Sequence, residues 1–436
     1  MPPNLQFQRR REATASRIIP GRIMGRAELA EAVNDFLWRV KGQRCELDAR
    51  AIARYERGVV RWPNDAYREA FCVVLNATDA ELGFTPVRSR RKPADQPEKT
   101  TDLDLFSPFE PSATEVELTE LEGSADTPTG RVGWAEVEQV REATKVAAGA
   151  ENLHGGGNAN LLATKYVRRY QGLVRGQASP AVRRALFEAI GNLSGVAGYA
   201  AYDAGDHAVA ERRFRFAYWC ANAAGSWELR ASTLADMARK IAYVGNPDAA
   251  LSLIELAQVR SDRLSATALA MLAALRAQYL AAMGRIDEAL KEVARADEHF
   301  AERNPITDAP WLCFYDRAEH LGSTGKALMP AAQSRQQIEL AAPRIREAVA
   351  LQGMEYPRSQ TFSLTRLATL TMQLGDPREA AALGLRATAQ ADRLNSQRIQ
   401  TELGNLAAAA SRHRRMSDVI ELRDAITHQT MSGAKS

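Results

Sequence analysis

Apolar residues recur at helical spacing up to Phe84, interrupted by turn signals; the pattern stops from Thr85 to Gly130 and resumes from Arg131 onward. No sustained period-2 alternation competes with it, and beyond Arg131 Gly and Pro fall mainly at regular breaks. These spacings predict an all-α chain in three parts: a helical domain over residues 1–85, a segment over 86–130, and a long helical domain over 131–436. The middle segment includes SPFEPSATEVELTELEGSADTPTG, rich in Pro, Ser, Thr and acids. It has too little apolar surface to offset its ordering entropy and is expected to be a flexible acidic linker. Folding back onto the first domain is the alternative use of its acids.

One motif recurs in the long domain: a Gly, a small residue five positions on, and Ala twelve positions on. It occurs as Gly205/Ala210/Ala217, Gly245/Ala250/Ala257, Gly284/Ala289/Ala296 and Gly375/Ala380/Ala387, with a degenerate copy at Gly322/Ala327/Ser334. The first three copies start 40 and 39 residues apart. The Gly suits a sharp turn between two helices. Asp206, Asp248 and Asp287 follow it, where an acid caps or charges the next helix. Two alanines seven apart share a helix face, and their size lets a neighbour approach closely. Stacked helical hairpins are predicted, forming a superhelix whose concave face binds something.

The first domain carries RAELAEAVN, DFLWRVKGQRCE and LDARAIARYERGVVRWP in succession. Arg26–Val33 reads as a short helix with Ala27, Leu29, Ala30 and Val33 on its apolar side. Asp48 reads as the N-cap of a second short helix, Ala49–Arg57, with Ile52 and Tyr55 inward and Gly58 in the left-handed stop position. Arg50, Arg54 and Arg57 then point outward, as a helix entering a DNA major groove requires. Asn34–Glu46 read as an extension of the first of these helices, followed by a basic loop, Lys41-Gly42-Gln43-Arg44.

Charge sharpens this picture. Residues 1–92 hold 18 Lys and Arg against 11 Asp and Glu, residues 93–130 hold 1 against 10, and residues 131–436 hold 38 against 32. A basic first domain points to a polyanion partner. The aromatic content is only 7% while Ala, Leu and Arg abound, which favours helix. No apolar run reaches the ~20 residues that span a bilayer, and the N-terminal residues lack the apolar stretch of a signal peptide. A cytoplasmic protein without membrane partners is expected. Cys45, Cys72, Cys220 and Cys313 are scattered, and no His lies at ligand spacing from them, so no metal site is expected. No nucleophile, acid pair or phosphate loop is organised, so neither an enzyme nor a cofactor is expected. His154-Gly155-Gly156-Gly157 lacks the strand and Lys-Ser/Thr of a phosphate loop and reads as a flexible turn opening the repeats. Arg9-Arg10-Arg11 reads as a solvated helix face or as phosphate contacts.

The glycine–alanine motif resembles the tetratricopeptide repeat, although the period exceeds the usual ~34 residues. RAELA followed by I-A-R-Y-E-R-G and a nearby Pro resembles the Xre/Cro-type helix-turn-helix, whose pattern is Q-x-E-L-A, then I-S-x-W/L-E-x-G. That resemblance implies phosphate contact at Arg26, the N-cap at Asp48, base reading at Ala49, Arg50 and Arg54, and phosphates flanked by Arg57 and Arg61. Nearly the whole chain, including YREAF, TDAELGF, the GGG loop and YDAGD, is similar to large helix-turn-helix/tetratricopeptide regulators of actinomycetes. The layout is also similar to peptide-sensing quorum regulators. These resemblances imply an α-solenoid behind an N-terminal helix-turn-helix. They imply a sequence-specific transcriptional regulator that binds double-stranded DNA as a homodimer and answers a signalling peptide or small molecule. Trp227, Arg230, Trp311, Tyr315, Arg358 and Arg366 are the candidate effector-binding residues, with core packing as the other reading of the aromatics. The alternative function is an interaction scaffold that captures a partner protein through the repeat groove.

Overall fold

Helix periodicity carries through to the tertiary structure. In this computed structural model the described residues are 3–17, 21–41, 47–84, 131–353 and 355–433. Among them every extended element is a helix, apart from two isolated β-bridges, Ala15 with Ile23 and Arg131 with Gln177. The expected linker at 86–130, the loop after Lys41 and Cys45 lie outside the described residues. No described helix is long and apolar enough to cross a membrane. The chain divides into two compact units, Met1–Thr100 and Thr101–Ser436.

The first unit holds α1 (Leu5–Ala13), α2 (Arg26–Lys41), α3 (Ala49–Glu56) and α4 (Asp65–Leu75). Asn4, Asp48 and Asn64 cap α1, α3 and α4, each side chain accepting from a backbone N–H of the first turn. In α2, Leu29, Ala30, Val33 and Leu37 form one buried stripe, whereas Ala27, read with them as a small position, is exposed. The stripe packs with Phe7, Ile52, Tyr55, Phe71, Val74 and Phe84 into one core. Phe71 sits at its centre, edge-on to Phe7 at 5.0 Å and to Tyr55 at 5.1 Å.

The second unit is a run of seven helix pairs: α5 (Trp134–His154) with α6 (Gly156–Tyr170), α7 (Pro180–Asp203) with α8 (His207–Ala224), α9 (Trp227–Tyr243) with α10 (Pro247–Ala257), α11 (Ala266–Ala282) with α12 (Ile286–Ala301), α13 (Arg317–Leu328) with α14 (Ala342–Gln352), α15 (Pro357–Leu374) with α16 (Pro377–Ala391), and α17 (Gln397–Ala410) with α18 (Ser417–Gly433). The first helix of each pair packs on the first helix of the next, and each second helix packs on the following first helix. The eight alanines of the four full motif copies are all buried, between 0% and 3% exposed, as their spacing predicts.

The turn chemistry also repeats. Gly205, Gly245 and Gly284 have φ of 87°, 99° and 77°, the left-handed region that a glycine enters without strain. At the first, the Gly205 N–H donates to Tyr202 O and the Asp206 N–H to Ala201 O, and matching bonds close the other two turns. Asp206 caps α8, but at the second turn Asn246 is the cap and Asp248 lies within the first helical turn. Gly375 also stands in the turn between α15 and α16, there with φ −110°. One expectation fails. Gly322 makes no turn: it lies inside α13, where an added Cβ would meet Ser363 and Ala348 at ordinary contact distances of 3.5 and 3.7 Å.

Candidate functional site

In the first unit α3 presents one buried and one open face. Ile52, Tyr55 and Glu56 are buried at spacing i, i+3, i+4. Arg50, Arg54 and Arg57, with Arg61 just beyond the helix, are exposed, and none makes an ion pair or side-chain hydrogen bond among the described residues. Ala49 is half-buried in the first turn. The Asp48 carboxylate accepts from the Ala51 N–H at 2.7 Å, so its role is to hold that turn. The helix stops cleanly: Gly58 (φ 68°) donates to Tyr55 O and Val59 to Arg54 O, both at 3.0 Å. Beyond it the Arg68 guanidinium stacks over Trp62, 3.8 Å from the ring centre, and fixes the chain after Arg61.

Two buried arrangements orient that face. Glu56 accepts from Arg11 Nε at 2.7 Å and from Arg26 Nε at 2.7 Å, tying α3 to α1 and α2. Arg11 also donates to Met24 O at 2.7 Å. Arg26, expected at a phosphate, is therefore held in an internal ion pair, with about half its side chain exposed (49%). Arg11 and Arg10 depart from the solvated or phosphate readings: Arg11 is buried, and Arg10 donates to Leu75 O at the end of α4. The second arrangement is a two-point clamp. Asn34 Nδ2 donates to Leu47 O at 2.9 Å, and the Leu47 N–H donates to Asn34 Oδ1 at 3.0 Å. Leu47 thus lies at the level of Asn34, although α2 runs on to Lys41.

In the second unit, polar side chains converge on the first helices of successive pairs. Arg358 of α15 donates to Asp203 of α7 at 2.7 Å and lies 3.0 Å from Glu151 of α5. Arg398 of α17 donates to the Tyr199 hydroxyl at 3.0 Å and stacks on Tyr202 at 4.5 Å. Arg366 donates to Glu402 at 3.3 Å, Arg239 donates to Asp236 at 2.7 Å, and Tyr243 shares a 2.8 Å hydrogen bond with Thr401. These contacts bring the last pairs against the first ones, and α15 packs on α5. His154–Gly157 is part of this closure and not a flexible turn. The Gly156 N–H donates to Asp203 at 2.9 Å, the Gly157 N–H donates to Asn395 O at 3.0 Å, and a Cβ on Gly156 would run into the Ala200 carbonyl.

The electrostatics follow from burial. Burial raises Asp203, but Arg358 and Arg398 outweigh it and hold the carboxyl below its usual range. Burial pushes Asp236 up to about 6 against the pull of Arg239. Solvent still reaches parts of this face, since Arg239 and Arg366 keep 12% and 13% of their side-chain surface.

The six candidate effector residues occupy different places. Arg358 and Arg366 line the inner face. Trp227 lies under Arg230 and Arg260 at the start of α9, and Arg230 donates to the Tyr218 hydroxyl at 3.2 Å. Trp311 borders a separate cleft of about 360 Å³ with Glu228, Asp308 and Arg141. Tyr315 is a core residue, 2% exposed, its hydroxyl donating to Ala270 O; burial removes it from any effector surface.

No family model, curated protein or solved structure matches this chain.

Sequence reasoning passed over the ion-pair role of Glu56 and the inner-face residues Arg239, Lys326, Arg398 and Glu402. Glu56 had a usable signal: it follows Ile52 at i+4, so burying one buries the other. Apart from Arg239, whose partner Asp236 is three residues away, the inner-face charges had none, because the groups they meet are far apart in sequence, 155 residues for Arg358 and Asp203.

Proposed function

We propose that the protein is a sequence-specific DNA-binding transcriptional regulator, its first unit a helix-turn-helix and its second a tetratricopeptide-like solenoid that senses an effector. The observation that carries this reading is the open face of α3. Arg50 and Arg54 on this short capped helix, Arg57 at its C-cap and Arg61 just beyond are exposed and without partners among the described residues, while the other face of the helix is locked into the core. Unpaired guanidiniums on so rigid a support suit bidentate contact with guanine and charge contact with phosphate. The Asn34–Leu47 clamp supports the reading, because it allows the long connection to leave and return without displacing α3. A dimer on a two-fold operator goes with it, since one such helix covers a half-site. The solenoid reading rests on the uniform stacking of the pairs and the buried motif alanines.

Fluorescence anisotropy of the full chain on selected duplexes at several salt concentrations tests this proposal. Arg57→Ala and Arg61→Ala should each weaken binding to all duplexes alike and flatten the salt slope by about 0.9 for each phosphate no longer neutralised. Arg50→Ala and Arg54→Ala should instead relax base preference, by ~1–3 kcal/mol each. Four variants that bind like the wild type would sink the assignment of this face.

A further inference from the structure

The inner face of the second unit holds arginines that are matched by carboxylates and one lysine that is not. Arg239 has Asp236, Arg358 has Asp203 and Glu151, Arg366 has Glu402, and Arg398 lies 3.6 Å from Asp203. Lys326, on α13, makes no ion pair or side-chain hydrogen bond among the described residues. The residue as a whole is half-buried. The charges acting on it most strongly are Arg366, Glu402, Arg398 and Arg239, and the one carboxylate among them is already held by Arg366. An unpaired ammonium beside three guanidiniums is costly to enclose unless an anion joins it.

A second, independent observation lies on the neighbouring helix. The Tyr279 hydroxyl on α11 is buried, with the residue 4% exposed, and it makes no hydrogen bond among the described residues. Arg239, Asp236 and Tyr199 are among the groups acting on it, which places it on the same polar face. Its neighbour Gln278 donates to Ser323 O at 3.1 Å, one turn before Lys326. A buried phenol without a partner costs free energy that a ligand oxygen would restore.

We propose that this inner face is an oxyanion-binding site, taking the carboxylate or phosphate group of a small organic effector, with Lys326 as its ion-pair partner and the Tyr279 hydroxyl as a hydrogen-bond donor. The inference rests on reading the inner face as the effector site. It is tested without DNA, so its failure leaves the DNA-binding assignment of α3 standing.

The test is calorimetric titration of the full chain, at ionic strength held constant with sodium chloride, with four probes: citrate, inorganic phosphate, and acetylated tetra-alanine with either a free or an amidated C-terminus. Binding of at least one free-oxyanion probe is expected, with none for the amidated peptide. Citrate alone points to a small polycarboxylate, phosphate to a phosphorylated ligand, and the free-acid peptide to a peptide terminus. Lys326→Met should weaken that probe by about tenfold to a hundredfold, the worth of a charge-assisted hydrogen bond, and Lys326→Arg should retain most of the affinity. Tyr279→Phe removes only an unbonded hydroxyl and should weaken binding several-fold, so it carries the test if Lys326→Met fails to fold. No heat from any probe, or equal affinity in wild type and in whichever of Lys326→Met and Tyr279→Phe folds, overturns the proposal.

Discussion

Glu56 sits one residue before the Arg57-Gly58 stop of α3 and accepts from arginines on two other helices. Removing it would leave the buried Arg11 uncompensated, so Glu56→Ala should destabilise the first unit by about 3–5 kcal/mol in urea denaturation. A loss below about 1 kcal/mol would mean the pair is dispensable, as exposed pairs are. Lys326 makes a prediction of opposite sense. Burial, with Arg366, Arg398 and Arg239 acting against Glu402, lowers its pKa from 10.5 to about 8. Between pH 8 and 10.5 the unfolded chain then holds a proton that the folded chain has released, and stability from this group rises with pH across that window. Lys326→Met should therefore be more stable than wild type at pH 7, and thermal melts of the two should approach each other above pH 8 and converge only as the pH passes 10.5. Parallel curves would show that the ammonium is not penalised by its surroundings. At this scale the sequence is informative where a residue's role is local. Asp48 as a cap and Gly58 as a left-handed stop follow from their neighbours alone. Glu56 and Lys326 depend on what other helices bring to them.

The helix pairs are where pattern and structure agree most closely. Alanines seven apart predict one tightly packed face, and all eight of the regular copies are buried. Glycine is more ambiguous, because a turn glycine and a close-contact glycine look identical in a sequence. Gly205, Gly245 and Gly284 are the first kind; Gly325, inside α13, is the second, since an added Cβ would come within 2.6 Å of Ile345 Cγ1. Gly156 belongs with the second and yields a paired prediction. Gly156→Ala would drive a Cβ into the Ala200 carbonyl and should cost about 1–3 kcal/mol. Gly149→Ala, in an exposed stretch of α5 with nothing near its added Cβ, should stabilise by about 0.5–1 kcal/mol through helix propensity. Urea titrations of the two variants check both signs; a neutral Gly156→Ala would mean the contact between α6 and α7 is loose.

Within the second unit, contacts between the first and last pairs decide how the helices close on one another. Arg358 reaches Asp203 across 155 residues, and no periodicity in the chain announces that meeting. Repeats are legible because they are local copies; closure is a long-range match of charges and had no signal. Arg358→Ala should leave Asp203 buried without its strongest partner and loosen α15 from α5, seen as an increased radius of gyration in small-angle scattering at unchanged helicity. An unchanged radius would assign the closure to the Asn395 and Tyr243 contacts instead. The DNA-binding assignment of the first unit rests on Arg50 and Arg54, open on α3, with Arg57 at its C-cap and Arg61 just beyond. It is tested most directly by selecting duplexes from a random library with the full chain and repeating the selection with Arg50→Ala/Arg54→Ala. The wild type should enrich a defined sequence, and the double variant should lose the preference while still binding duplex at low salt. Enrichment of the same sequence by the double variant, or of none by the wild type, would contradict the claim.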